Sequence, residues 1–135
     1  MKKSEISNAA LSMLGTPFHA QGRLPGVGLD CIGVVACVAR AIGFQFQDRA
    51  AYSMNPTGEL QPILEHYLVR VDKEPEEGDI LLMAWRGYAP HHVAVYVGEG
   101  FIVHAYNRAR KVVKQSFSDE WKLKTVAVYR FPGVD

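Results

Sequence analysis

Three side chains in this sequence have the types and order that nucleophilic acyl chemistry needs: Cys31, His92 and His104. A thiolate attacks a carbonyl, an imidazole takes up the thiol proton, and a second polar residue holds that imidazole in one tautomer and orientation. Cys31 stands in Gly28-Leu29-Asp30-Cys31-Ile32-Gly33, after a Gly/Pro-rich loop and before an apolar run from Val34 to Ile42 that Gly43 closes. Asp30 fits an N-cap and Gly43 the C′ position, so the pattern predicts a helix over 30–42 with the thiol in its first turn. Unpaired backbone N–H groups and the positive end of the helix dipole favour a thiolate there. The N–H of Cys31 points toward where an oxyanion would form. A free cysteine is more often plain core and a lone strand histidine more often structural, so the reading depends on the three residues meeting.

The elements that must bring them together can be read from periodicity. The 30–42 helix is apolar nearly all round, which marks it as central and buried, and Cys37 belongs to that apolar surface. His92-Val93-Ala94-Val95-Tyr96-Val97 and Phe101-Ile102-Val103-His104-Ala105-Tyr106 alternate as strands joined through Gly98-Glu99-Gly100. With a three-residue loop, Val97 pairs with Phe101, His92 opposes Tyr106, and His104 is a diagonal neighbour on the same face. Such neighbours lie about 7–8 Å apart between backbones, within reach of two imidazoles. A two-residue loop of Glu99-Gly100 puts the histidines on opposite faces, so the chemistry requires the longer turn or a bulge of equal effect. Adjacent His91 is expected on the other face or the strand edge, with no assigned role.

Elsewhere, Ile6, Ala9, Ala10, Met13 and Leu14 recur at helical spacing, predicting an amphipathic helix over 4–14 stopped by Gly15 and Pro17. The long loop 16–29 offers Phe18, His19, Gln21 and Arg23 as cleft-lining residues beside Cys31. Tyr52 and Asn55-Pro56 are turn signals, Thr57-Gly58 precedes a short helix through Leu60, Ile63, Leu64 and Leu68, and Pro62 belongs to its first turn or delays its start. Strand-like segments then follow at 68–71, 79–85, 91–97, 101–106, 111–117 and 125–131. Helices first and strands afterwards, with hairpin-length links, predict an α+β fold in which N-terminal helices pack on an antiparallel sheet of five or six strands.

The 135 residues suit one domain spanning 1–135, and a net charge of +1 leaves no whole-chain basic field for nucleic acid. Cys31 and Cys37 lie about 9 Å apart along one helix axis and on different faces, so they do not bridge, and no zinc-knuckle spacing appears. Neither a cofactor nor a metal is expected. Met1-Lys2-Lys3 is followed by Ser4-Glu5 and Ser7-Asn8 with no unbroken apolar run, which predicts cytoplasmic synthesis without a cleaved signal and no membrane span.

Together these residues resemble the NlpC-type, papain-like cysteine peptidases that cut peptidoglycan stem peptides. The resemblance runs from Gly15-Thr16-Pro17-Phe18 through Asp30-Cys31-Ile32-Gly33-Val34-Val35, Pro75-Glu76-Glu77-Gly78-Asp79-Ile80-Leu81-Leu82 and His92-Val93-Ala94-Val95-Tyr96-Val97-Gly98 to Ile102-Val103-His104-Ala105. It implies Cys31 as nucleophile, His92 as base and His104 as the orienting third residue. The implied bond joins γ-D-glutamate to diaminopimelate or lysine. Asp30 matches a position that helps bind the peptide. Ile32 stands where many members have serine, and Phe18 and His19 stand where many have an aromatic hydroxyl, with His19 as its substitute. The loop from Pro17 to Gly28 is most like those of phage and prophage tail-associated members, which implies tail proteins as partners.

Other readings of the same residues are an amidase, an acyltransferase or another peptidase on this scaffold. From other classes come a non-catalytic tail-assembly component docking through the basic bend Arg108-Ala109-Arg110-Lys111, and a zinc site formed by Cys31, His92 and His104.

Overall fold

The computed structural model describes residues 2–46 and 60–134, so the turn signals at Tyr52 and Asn55-Pro56 and the Thr57-Gly58 lead-in lie outside the described residues. In chain order come α1 (Lys3–Leu11), a short pair of strands β1 (Arg23–Leu24) and β2 (Gly28–Leu29), α2 (Cys31–Ala41), α3 (Leu60–Tyr67) and β3 (Val69–Val71). There follow β4 (Ile80–Met83), β5 (His92–Gly98), β6 (Phe101–Tyr106), a 3₁₀ turn (Asn107–Ala109), β7 (Lys111–Ser116), α4 (Asp119–Lys124) and β8 (Thr125–Arg130). The main sheet has six antiparallel strands in the order β3-β8-β4-β5-β6-β7. This is the α+β architecture that the change of period from helical to alternating predicts.

The pleat divides the core into two layers. Ile80, Leu82, Val93, Val95, Val103, Ala105, Ala127 and Tyr129 belong to the larger apolar cluster with α1 and α2, in which Ile32, Val35 and Val38 are almost wholly buried. Leu81, Met83, Ala94 and Ile102 form the smaller cluster, capped by Trp121 of α4. That helix occupies the interval between the strand-like segments 111–117 and 125–131, where the periodicity predicts no element. Six residues are too few to display a period, and the only local signal is Ser118 followed by Asp119 and Glu120, a helix-start composition.

The first helix and the loop after it also differ from the pattern, and β4 is shorter than the 79–85 segment. The first helix ends at Leu11 rather than Leu14, because a turn through Ser12 brings Gly15, at φ +85°, to donate its N–H to the Val112 carbonyl. The loop 16–29 carries structure of its own, the β1/β2 pair, and is pinned at several points. Phe18 N–H donates to the Arg110 carbonyl, Leu29 N–H to Pro17, and Gly26 N–H to Thr16 Oγ1. Backbone approach there is very close: a Cβ on Gly33 would lie 2.3 Å from the Gly22 carbonyl oxygen, and one on Gly22 would lie 2.5 Å from that of Gly28. Only glycine lets the loop seat on the first turn of α2. Arg130 grips Asp79 through Nε and Nη2, at 2.8 and 2.9 Å, and Glu76 at 2.8 Å, tying the last strand to the turn before β4. Among the described residues no helix is long and apolar enough to cross a membrane.

Candidate active site

Asp30 starts α2 as its composition predicts. One carboxylate oxygen accepts the Gly33 N–H at 2.8 Å, and the next residue, Cys31, opens the helix. The carboxylate does more than cap. The same oxygen takes a 2.8 Å hydrogen bond from Arg23 Nη1, while the other accepts the Gln21 N–H at 2.7 Å, and the side chain is 0 % exposed. Asp30 is therefore the post on which the preceding loop is folded. Arg23 is used here, and its carbonyl accepts from the Cys37 thiol at 3.4 Å, which leaves Cys37 in the core as expected.

The hairpin solves the register problem by the second of the two routes that the sequence leaves open, a bulge. Glu99 and Gly100 both have positive φ, 55° and 82°, so the turn is the two-residue kind that by itself would separate the histidines. A bulge between Tyr96 and Gly98 restores the pairing, with Tyr96 opposite Ile102 and Val95 opposite Val103. Continued down the strands, this register sets His92 opposite Tyr106 and diagonal to His104. The imidazoles meet, with His92 Nε2 2.7 Å from His104 Nδ1. His104 Nε2 then lies 2.6 Å from Gln115 Oε1 on β7. Trp121 stands edge-on to His104 with ring centroids 4.8 Å apart, and Tyr106 stacks on it at 5.2 Å, so His104 is 0 % exposed.

Cys31 and His92 line one cleft of about 220 Å³, together with Phe18, Trp85, His91, Ala105, Tyr106, Asn107 and Arg108. Phe18 is the cleft residue that the loop supplies, while His19 is exposed with Nδ1 on the Ala20 carbonyl at 2.9 Å. Six of these cleft residues escaped sequence reasoning, among them His91, whose carbonyl lies 4.0 Å from Cys31 Sγ; Trp85, whose ring sits 4.9 Å from that of His91; and Tyr106. The strand pattern placed Tyr106 opposite His92 but could not show a cleft there. Among the described residues no three His, Cys, Asp or Glu side chains are grouped to hold a metal ion.

Residues 15–130 match the family model for the NlpC/P60 family. The chain belongs to the NlpC/P60 family. Solved NlpC/P60 structures share the fold. The NlpC/p60 domain of the peptidoglycan hydrolase SagA superposes with a TM-score of 0.71 at 21 % identity, covering 97 % of this chain and 100 % of that one. An NlpC/P60 family protein from Bacillus cereus gives 0.74 at 23 %, covering 97 % of this chain but 40 % of the longer protein. RipD from Mycobacterium tuberculosis, described as a non-catalytic NlpC/p60 domain protein adapted to peptidoglycan binding, gives 0.64 at 18 %, covering 96 % and 98 %. No curated protein sequence matches significantly.

The electrostatics of this NlpC/P60 site correct one expectation. Burial pushes the Cys31 thiol up to about 12, and the Asp30 carboxylate adds to the rise; hydrogen bonds from the Val93 and Ile32 backbone and the Arg23 guanidinium oppose it and lose. The helix-start effect exists, but with the residue 3 % exposed desolvation is larger. Burial likewise holds His92 well below the usual imidazole value, with His104 and His91 adding to the drop, and holds His104 down against its hydrogen bond to Gln115. Burial therefore favours a neutral thiol beside neutral imidazoles.

This has a consequence for stability. The folded chain resists protons that unfolded imidazoles accept near 6.5, so the contribution of these residues is complete above that pH and is lost as pH falls through the depressed folded values. The urea midpoint is expected to drop on acidification from about pH 7 to about pH 5, and to drop less in His104→Asn. Equal acid sensitivity in both proteins would contradict it.

Proposed function

We infer that this protein is a cysteine peptidase that hydrolyses peptidoglycan stem peptides at the bond between γ-D-glutamate and diaminopimelate or lysine. The observation behind this reading is that the helix-start thiol and a histidine hydrogen-bonded to a second histidine open onto one cleft. His92 takes the Cys31 proton as Sγ adds to the scissile carbonyl carbon. The oxyanion that forms is met by the N–H of Cys31. The imidazolium then returns the proton to the departing amine, leaving a thioester that water hydrolyses with His92 again as base. Starting from a neutral pair, proton transfer accompanies attack instead of preceding it, and catalytic hydrogen bonds that are long in the free enzyme tighten once substrate excludes water. Phe18 and Tyr106 supply apolar walls for the peptide, and Arg108 is the cation at the cleft. Asp30 acts on the substrate through the loop that it holds. His19 remains a peptide-end contact in this reading, reached from the exposed side of that loop.

Mass spectrometry of purified muropeptides after incubation tests the reading: new termini at the γ-D-glutamyl bond support it, and cleavage of a different acyl bond overturns the substrate assignment. His104→Ala is expected to lose about tenfold to a hundredfold in kcat, less than a loss of the nucleophile, because it removes an orienting partner and leaves both reacting groups. A kcat equal to that of the wild type would remove His104 from the mechanism.

The site of action rests on resemblance. The loop from Pro17 to Gly28 supports a role in local wall opening by a phage or prophage tail, and co-sedimentation with tail particles tests that. A second, non-catalytic reading draws on the burial and raised pKa of the thiol, features suited to a binding protein. Wall binding without product formation would favour it.

A further inference from the structure

We propose that Gln115 is a positioning residue that selects the tautomers of both histidines, so that the lone pair of His92 Nδ1 faces the cleft shared with Cys31. An amide oxygen carries no proton, so the 2.6 Å bond from Gln115 Oε1 requires the proton of His104 to sit on Nε2. A neutral imidazole has one ring proton, which leaves His104 Nδ1 bare. That nitrogen lies 2.7 Å from His92 Nε2 and must accept, so His92 carries its proton on Nε2 and Nδ1 is the base. Among the described residues Nδ1 of His92 has no hydrogen-bond partner, and no side-chain nitrogen or oxygen is both sealed from solvent and unpartnered. With the cleft lined by the same ring, that atom is the open one.

The reverse orientation of the amide would invert the whole chain. A Gln115 N–H donating to His104 Nε2 would put the His104 proton on Nδ1, force His92 Nε2 to accept, and turn an N–H of His92 toward the cleft. That tautomer has no lone pair for the thiol proton. Water cannot substitute as arbiter, because His104 is 0 % exposed between the Tyr106 ring and the Trp121 edge. The strand pairing places Gln115 for this task. His104 is opposite Val113 and Ile102 opposite Gln115, so the amide sits on the diagonal of the same face, the geometry that also joins the two histidines.

The significance for rate rests on His92 being the base, but the decisive measurement needs no substrate. In ¹⁵N-histidine-labelled protein near neutral pH, two-bond ¹H–¹⁵N spectra report which ring nitrogen is protonated. Both His92 and His104 are expected as Nε2–H tautomers in the wild type and in Gln115→Glu, whose carboxylate can only accept. Gln115→Met, similar in length but without an acceptor, should show a mixture. On stem peptide, Gln115→Met is expected to lose about tenfold in kcat with KM within about twofold, and Gln115→Glu to stay within about threefold of wild type, since a wrongly set tautomer costs up to about 10⁴-fold where the base itself is affected. A wild-type spectrum with His92 protonated on Nδ1 overturns the proposal, as does a Gln115→Met spectrum indistinguishable from wild type. If the wild type cuts no stem peptide, the peptidase reading fails while the spectra still decide the role of Gln115.

Discussion

Cys31→Ser is expected to lower kcat on stem peptides by at least about 10⁴-fold while preserving the fold, because removal of a covalent nucleophile leaves only binding and oxyanion stabilisation. Serine is nearly isosteric, and the polar surroundings of the thiol suit a hydroxyl: the Val93 N–H is positioned to donate and the His91 carbonyl to accept. The melting temperature should therefore move by only a few degrees, corresponding to about 1 kcal/mol. Steady-state kinetics beside thermal melting checks both halves. The neutral resting thiol adds a second signature. In the free protein, alkylation of Cys31 by iodoacetamide should be slow at neutral pH and accelerate well into the alkaline range, since thiolate is the reactive form and burial has pushed the pKa up. Rapid alkylation at neutral pH would mean that a preformed ion pair outweighs desolvation. Unchanged hydrolysis in Cys31→Ser would assign the chemistry to another group.

The largest stability effect is expected at Asp30. Its two oxygens satisfy the Gly33 N–H, the Gln21 N–H and Arg23 Nη1 in a place sealed from water. Asp30→Ala strips the helix cap, worth about 1 kcal/mol, and leaves a mostly buried guanidinium without its carboxylate, a loss of about 3–5 kcal/mol when one partner of a buried pair is removed. These contributions share atoms and do not add, so a net loss of about 4 kcal/mol, or more than 10 °C in melting temperature, is expected. Asp30→Asn keeps an acceptor for the cap but turns an amide N–H toward a donor that the carboxylate had satisfied, so it should fall between wild type and Asp30→Ala. Thermal melting of the three proteins measures this directly. If Asp30→Ala instead melts like wild type and only KM rises, the carboxylate contacts peptide and its role as the loop's post is wrong.

The contrast between Cys31 and Gln115 shows what could be read in the chain. The first-turn position of the thiol, the buried helix behind it and the alternating strands that carry His92 and His104 depend on residue patterns a few positions long, and local patterns of that kind survive folding. Family membership was legible for the same reason, since short blocks from Gly15 to Ala105 recur in a set order. An antiparallel sheet of five or six strands followed from the change of period, and the structure has six. Whether the histidines shared a face was open in the sequence, and two readings of Gly98-Glu99-Gly100 gave opposite answers. The protein takes the shorter turn and corrects it with a bulge, a device that alternation cannot display because one extra residue leaves both strand patterns intact.

What the sequence alone determined is the identity and order of the candidate reacting groups and the elements that hold them. The tertiary structure decided their state and their support. The short α4 brings Trp121 over His104, β7 brings Gln115 to its outer nitrogen, and burial at the meeting of helix and sheet makes a neutral thiol of what the helix start alone would ionise. Each of these depends on desolvation and on contacts between segments remote along the chain, and such effects exist only once the layers have packed.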